Sequence, residues 1–266
     1  MLSADSFSER VKKYENTAEH NDKIHQTFSR IVQDTSWLAE HRKYVEINQL
    51  GFGDPAFHYM WYLLIQHSAK QFSHLNFLEI GIYKGQVISL WMLIAKKLKL
   101  NIEITGISPF KGNPFPESRW LRLWKALTSP SFRQDLKAGN FYLEEDYHAI
   151  IENLFKAFAL DFSRVQLIEG YSNDLSVLKA VESKKFTIIY IDGDHTFEVV
   201  TQDIMNYSSN IVPNGFLVMD DASYYLPGNA FWKGQETVSR ACEILPSLGF
   251  VNVLNIGHNR VYQKVQ

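Results

Sequence analysis

One cysteine, Cys242, stands among 266 residues, and that scarcity excludes both an intramolecular disulfide and a cysteine-rich zinc site. No apolar run approaches the ~20 residues of a membrane helix; even VISLWMLIA falls far short. The first twenty residues, MLSADSFSERVKKYENTAEH, lack the apolar segment of a signal peptide. A cytoplasmic protein without a membrane partner is therefore expected. Excess charge is missing as well: 27 Lys and Arg against 29 Asp and Glu leave a net charge of −2. That excludes a general polyanion binder, though not a local basic patch, and no nucleic-acid partner is expected. Neither Gly-x-Gly-x-x-Gly nor a Walker A sequence occurs, which disfavours dinucleotide and P-loop sites. There is no internal repeat and no low-complexity tract.

What remains is an ordinary globular composition, 45% hydrophobic and 21% charged. The length suits one α/β domain with an appendage or an insertion. Residues 1–50 are polar and helix-compatible, with Trp37, Leu38 and Val45 as scattered apolar anchors. GFGDPAFHYMWYLLIQ reads as a turn and then an aromatic amphipathic helix from Pro55 to Lys70, capped by Asp54. Short apolar runs predict strands at 75–81, 102–107, 165–170, 186–193 and 215–221, and the intervening patterns predict helices at 85–100, 197–211 and 234–245. Residues 250–256 and 260–265 read as an antiparallel hairpin around the turn-forming GHN. Strands alternating with helices imply a parallel sheet covered on both faces. The stretch 108–164 is too long for one crossover and reads as a lid-like insertion at the carboxyl edge of the second strand, where ligands bind in such sheets. The expected division is a helical extension at 1–70 and a catalytic domain at 71–266.

Two regions carry chemistry. Glu79-x-Gly81-x-x-x-Gly85 closes the first strand and opens a helix. Its glycines permit a sharp turn and a close backbone approach, and the helix N-terminus behind them favours an anionic group. Tyr190-Ile191-Asp192-Gly193-Asp194-His195 and Val218-Met219-Asp220-Asp221 each end an apolar strand in carboxylates. Adjacent strands lie ~4.8 Å apart, so Asp192, Asp220 and Asp221 converge. Three such carboxylates repel one another unless a cation sits among them, and oxygen ligands favour Mg²⁺, Mn²⁺ or Ca²⁺. His58 and His67 read as surface or satisfied core residues. The aromatic segments FGDPAFHYMWY and NPFPESRWLRLW suit either packing or stacking on sugar faces.

These motifs resemble the class I S-adenosylmethionine-dependent methyltransferases. Glu79-x-Gly81-x-x-x-Gly85 resembles their first motif. IDGDHTFEVVTQDI followed by VPNGFLVMDD resembles the metal-dependent sugar O-methyltransferases of the macrocin type. The resemblance covers about 75–107 and 165–265. It implies a Rossmann-like α/β fold, with a mainly parallel seven-stranded sheet ending in an antiparallel hairpin. It places Glu79, Gly81, Gly85 and Asp192 around S-adenosylmethionine, with Tyr171, Ser172 and Asn173 near its adenine. Asp192, Asp220 and Asp221 become the ligands of Mg²⁺ or Mn²⁺. His195 becomes the general base and Asp194 its rival. Ser108 stands where relatives carry an acidic residue for the ribose hydroxyls; it can make one such bond, not a charge-assisted pair. The function implied is O-methylation of a small-molecule hydroxyl on a sugar or natural-product glycoside, with the N-terminal helices as candidate dimer-forming arms. Two other readings stand beside it: a metal-dependent glycosyltransferase using Asp192-Gly193-Asp194, and a methyltransferase fold retained only for binding.

Overall fold

The computed structural model describes residues 6–110, 113–114, 118–130, 132–133, 141–142, 145–228 and 231–265. Seven strands form the main sheet: β1 Leu75–Ile80, β2 Ile102–Ser108, β3 Val165–Glu169, β4 Phe186–Ile191, β5 Ile211–Met219, β6 Phe250–Ile256 and β7 Asn259–Lys264. Their order is β3-β2-β1-β4-β5-β7-β6. All neighbours are parallel except β7, which runs antiparallel to both β5 and β6. The order reverses between β1 and β4, and such a switch point opens a crevice at the carboxyl ends of the strands. Ile80 is level with Ile191, and Ile191 with Met219. The next residues, Gly81, Asp192 and Asp220, therefore emerge side by side. The ladder continues one step past the strands, with the Asp192 N–H on the Ile80 carbonyl (2.9 Å) and the Asp220 N–H on the Ile191 carbonyl (3.0 Å).

Ten helices are labelled in chain order: α1 Phe7–Lys12, α2 Ala18–Gln33, α3 Ser36–Ile47, α4 Pro55–Gln71, α5 Gln86–Leu98, α6 Arg119–Thr128, α7 Tyr147–Ala157, α8 Leu175–Val181, α9 Phe197–Tyr207 and α10 Glu236–Ala241. Alternation along the strands divides the core into two layers. Phe77, Ile188 and Phe216 face α2, α4 and α5. Leu78, Ile189 and Leu217 face α8, α9 and α10. Helix α4 starts as expected, with Pro55 in its first turn and the Asp54 side chain accepting the Ala56 N–H. It is buried on nearly every face from Ala56 to Ile65, as befits a helix enclosed between a sheet and other helices. The N-terminal helices thus share one buried cluster with the sheet.

Some boundaries differ from expectation. Strand β5 begins at Ile211, four residues before the apolar run proper, with its register shifted near Phe186. Helix α10 ends at Ala241 and continues as a 3-10 turn through Pro246, whose ring and missing N–H are incompatible with an α-helix interior. The stretch 108–164 contains α7, which buries Tyr147, Ile151, Leu154 and Phe155. That spacing is a helical face, and α7 serves as the crossover helix between β2 and β3. Of the Pro- and aromatic-rich stretch 111–120, only Asn113, Pro114 and residues from Ser118 onward lie within the described residues.

Candidate active site

Glu79 sits on the β1 face that looks toward α4, 1% exposed. Its Oε2 has no partner among the described residues, while the Ile88 N–H in the first turn of α5 bonds the carboxylate. Burial pushes the Glu79 carboxyl well above the usual carboxylate range. Gly81 and Gly85 follow at φ +97° and +83°, a backbone region that L side chains rarely adopt. A Cβ on Gly81 would stand 1.9 Å from the Asp192 carbonyl oxygen. The expected reason for this glycine, close approach to a ligand, therefore needs correction: what approaches Gly81 is the chain leaving β4.

The three carboxylates do come together, with a fourth group that the sequence reading assigned only to a turn. Asp192 and Asp220 lie in hydrogen-bonding contact. Burial, then the charge of Asp220, holds the Asp192 carboxyl well above its ordinary value. Burial works against the charge of Asp220, but His258 together with hydrogen bonds from Asp192 and Tyr190 outweighs it and lowers Asp220 to about 2. His258 Nε2 is 3.4 Å from Asp220 Oδ1 and 3.9 Å from Asp221 Oδ1. Although burial opposes its charge, these neighbours lift His258 to about 9. Asp220, Asp221 and His258 offer ligand atoms within 4.8 Å of one another. Asp192 lies beside that set, bonded by the Tyr190 hydroxyl at 3.3 Å. The mutually close set is thus Asp220, Asp221 and His258, and Asp192 of the expected trio adjoins it through Asp220. Asn259 Nδ2 donates to Asp220 at 2.7 Å. The reason is topological. Because β7 runs back along β5, with Met219 level with Arg260, the hairpin turn falls beside the acids. The GHN turn therefore places His258 and Asn259 beside the acids as well as reversing the chain.

Asp221 adopts φ +51°, unusual for a residue with a side chain. The loop after it folds back: the Gln235 N–H bonds the Asp221 carbonyl at 2.9 Å, and a Cβ on Gly234 would lie 2.2 Å from that same oxygen. Trp232 Nε1 donates to Asp221 Oδ1 at 3.3 Å, and Phe231 stacks on His25 of α2. His25 in turn pairs with Asp54 at 3.1 Å.

His195 Nε2 lies 3.2 Å from Asp221 Oδ2. Asp194 turns the other way, its Oδ1 accepting the Thr196 N–H at the start of α9. A cavity of about 510 Å³ spans this edge of the sheet. It is lined by Glu79, Gly81, Asp192, His195, Asp220, Asp221 and His258, and on the facing side by Phe57, His58, Trp61, Phe231 and Trp232. Asp194 is not among its walls; Asp192 and Asp194 meet only in a small recess of about 10 Å³ beside it, together with His195 and Asp220. Gly85, Ser108, Tyr171 and Ser172 are not among its walls either. Ser108 is buried at the end of β2 and Tyr171 is exposed, while the Ser172 carbonyl accepts the Tyr207 hydroxyl.

His58 is also more than a satisfied core residue. It lines the cavity, bonds His41 Nδ1 through Nε2 at 3.1 Å, and keeps an unpartnered Nδ1. Ser89 donates its proton to the Gln86 carbonyl and accepts from His41 Nε2. That polarity makes His41 Nδ1 the acceptor from His58, leaving a bare lone pair on His58 Nδ1. His67, by contrast, packs between Phe7 and Phe216.

A family model described as a methyltransferase domain matches residues 78–222. An uncharacterized protein of Acanthamoeba polyphaga mimivirus is 27% identical over 198 residues, covering 73% of this chain and 72% of that protein. Among solved structures, an O-methyltransferase from Bacillus cereus in complex with SAH aligns over 94% of this chain and 100% of its own, at 13% identity and a TM-score of 0.55. The MycE methyltransferase of the mycinamycin biosynthetic pathway, in complex with Mg and SAH, aligns over 86% of this chain and 54% of its own, at 14% identity and a TM-score of 0.50. No described helix is long and apolar enough to cross a membrane.

Proposed function

The chain belongs to this methyltransferase-domain family, and on that premise we propose that it methylates a hydroxyl of a small molecule, using S-adenosylmethionine and a divalent cation. The observation that carries the reading is a juxtaposition. Glu79 and Gly81 of the first motif share one cavity of about 510 Å³ with His195 and the acids of β4 and β5. S-adenosylmethionine, when bound, supplies a methyl group on a positively charged sulfur. Glu79 suits its ammonium-bearing end, because the unpartnered buried Oε2 needs a donor. Ser108, Tyr171 and Ser172 are retained as the proposed neighbours of ribose and adenine, although they lie outside that cavity.

The donor chemistry also fits a cation. Asp192 and Asp220 are pressed together, which with burial raises the Asp192 carboxyl well above its ordinary value, and the His258 imidazole pairs with Asp220. A divalent ion would offset the charge of these carboxylates, with Asp220, Asp221 and Asp192 as its ligands and His258 as a further candidate. Carboxylates favour Mg²⁺ or Mn²⁺, and an imidazole nitrogen shifts preference toward Mn²⁺. When bound, such an ion supplies a lowered pKa to a neighbouring hydroxyl and fixes its orientation. Asp221 holds the His195 ring through Nε2 at 3.2 Å, and the other ring nitrogen takes the hydroxyl proton. Phe57, Trp61, Phe231 and Trp232 give the acceptor flat apolar walls, and a sugar ring presents matching faces. His58 Nδ1 adds an acceptor for a further hydroxyl. A glycoside is the acceptor class these features support.

The test is turnover. The full chain, S-adenosylmethionine and a panel of glycosides and catechols are followed by mass spectrometry for the demethylated product. Product formation that stops in excess chelator and returns with Mn²⁺ or Mg²⁺ is expected. Undiminished turnover in chelator removes the cation from the reading.

A further inference from the structure

Helix α6 turns its apolar face outward. At 100° per residue, Trp120, Leu123, Trp124 and Leu127 fall on one arc and Arg119, Arg122 and Lys125 on the opposite one. Trp120 is 82% exposed, Trp124 61% and Leu127 80%, and the helix buries no residue. Its partly covered positions are Arg122, Lys125 and Ala126. An ordinary surface helix does the reverse, and a clustered exposed apolar patch marks an interaction site.

We propose that α6 docks this protein on an anionic lipid surface, with its Trp–Leu face in the headgroup boundary and its cations on the phosphates. Charge complementarity supports that occupant. From Ser118 to Arg133 the sequence has four basic residues and no acidic one, in a chain whose net charge is −2. Lys125 stays beside the helix, over the Phe132 ring at 5.7 Å. Arg133 closes the helix end by donating to the Ala126 and Leu127 carbonyls at 3.0 and 3.1 Å. Basic amphipathic helices bearing Trp and Leu lie in the plane of the membrane interface, where Trp is favoured and cations gain from anionic headgroups. A second copy of the chain suits the face less well. Ten residues span about 15 Å, too little for the ~800 Å² per partner of a stable interface. The absence of a long apolar run excludes a spanning helix, not one that lies on the surface. This proposal does not depend on the methyl-transfer reading. It bears on acceptor choice only by bringing the carboxyl edge of β2, from which the α6 segment departs, to a lipid-borne substrate.

Flotation of the full chain with phosphatidylcholine vesicles, with and without phosphatidylserine, tests it. Binding to the phosphatidylserine vesicles is expected, weakening as salt shortens the screening length. Trp120→Ala with Trp124→Ala should reduce it by about tenfold or more, and Arg119→Glu with Lys125→Glu should remove the phosphatidylserine dependence. Both pairs should keep the parent melting temperature, because none of these side chains is buried. Failure to float with phosphatidylserine vesicles overturns the proposal, as does equal binding to pure phosphatidylcholine. A dimer that the tryptophan pair dissolves assigns the face to a second copy and overturns it too.

Discussion

His195 and Asp194 are neighbours with opposite orientations, and that contrast makes their roles separable. His195 points its Nε2 at Asp221 inside the cavity, whereas Asp194 holds the Thr196 N–H outside it. With His195 as base, His195→Ala should lower kcat by roughly 10²–10⁴ while leaving S-adenosylhomocysteine affinity intact. Asp194→Ala should cost about 1 kcal/mol of stability, the usual worth of such a cap, and little turnover. The opposite pattern assigns the proton to Asp194. A second residue-scale effect comes from the buried histidines. Burial, then the Arg42 charge, lowers His41 to about 3, and burial holds His58 well below its ordinary value. Both rings stay neutral in the folded state, while in the unfolded chain they take up protons near pH 6.5. Their contribution is therefore fully present above about pH 6.5 and is lost as pH falls, by about 1.4 kcal/mol per pH unit for each ring. Urea midpoints at several pH values check this: His41→Gln with His58→Gln should flatten the decline between pH 6.5 and 5.

At the scale of elements, the loop between β5 and α10 is held by two unusual backbones, Asp221 at φ +51° and Gly234 at φ +88°. A methyl group at Gly234 would strike the Asp221 carbonyl, so Gly234→Ala should displace Asp221. The expected readout is weaker stabilisation by Mn²⁺ in thermal melts, with a stability loss of about 1–3 kcal/mol. Unchanged Mn²⁺ stabilisation would separate Asp221 from the cation. Strand ends were legible in the sequence because Asp192 and Asp220 close apolar runs, and strand neighbours bring such ends together. The far wall was less legible. Phe57, His58 and Trp61 share one helix of near-continuous apolar character, and only tertiary packing decides which of its faces meets a cavity. His258 was missed for a related reason: GHN satisfies turn chemistry in full, and its second role exists only through the antiparallel return of β7 beside β5. The helical face of α7 was present in the sequence but lay within a stretch taken whole as an insertion.

Over the whole molecule, the sheet order places the first motif and the acids at one switch point, and the N-terminal helices close the cavity from above the same edge. Helices α2 and α4 belong to the site as well as to the core: His25, Phe57 and Trp61 all line the cavity. The central claim is that this cavity receives S-adenosylmethionine beside Glu79. Calorimetric titration of S-adenosylhomocysteine into the full chain tests it most directly, with Glu79→Gln alongside. Gly81→Val is a poor control, because its side chain would collide with the Asp192 main chain. One site per chain is expected, weakened about tenfold or more in Glu79→Gln through loss of a charge-assisted bond. A folded protein that gives no heat at about millimolar ligand, or a Glu79→Gln variant that binds as tightly as the parent, would contradict it.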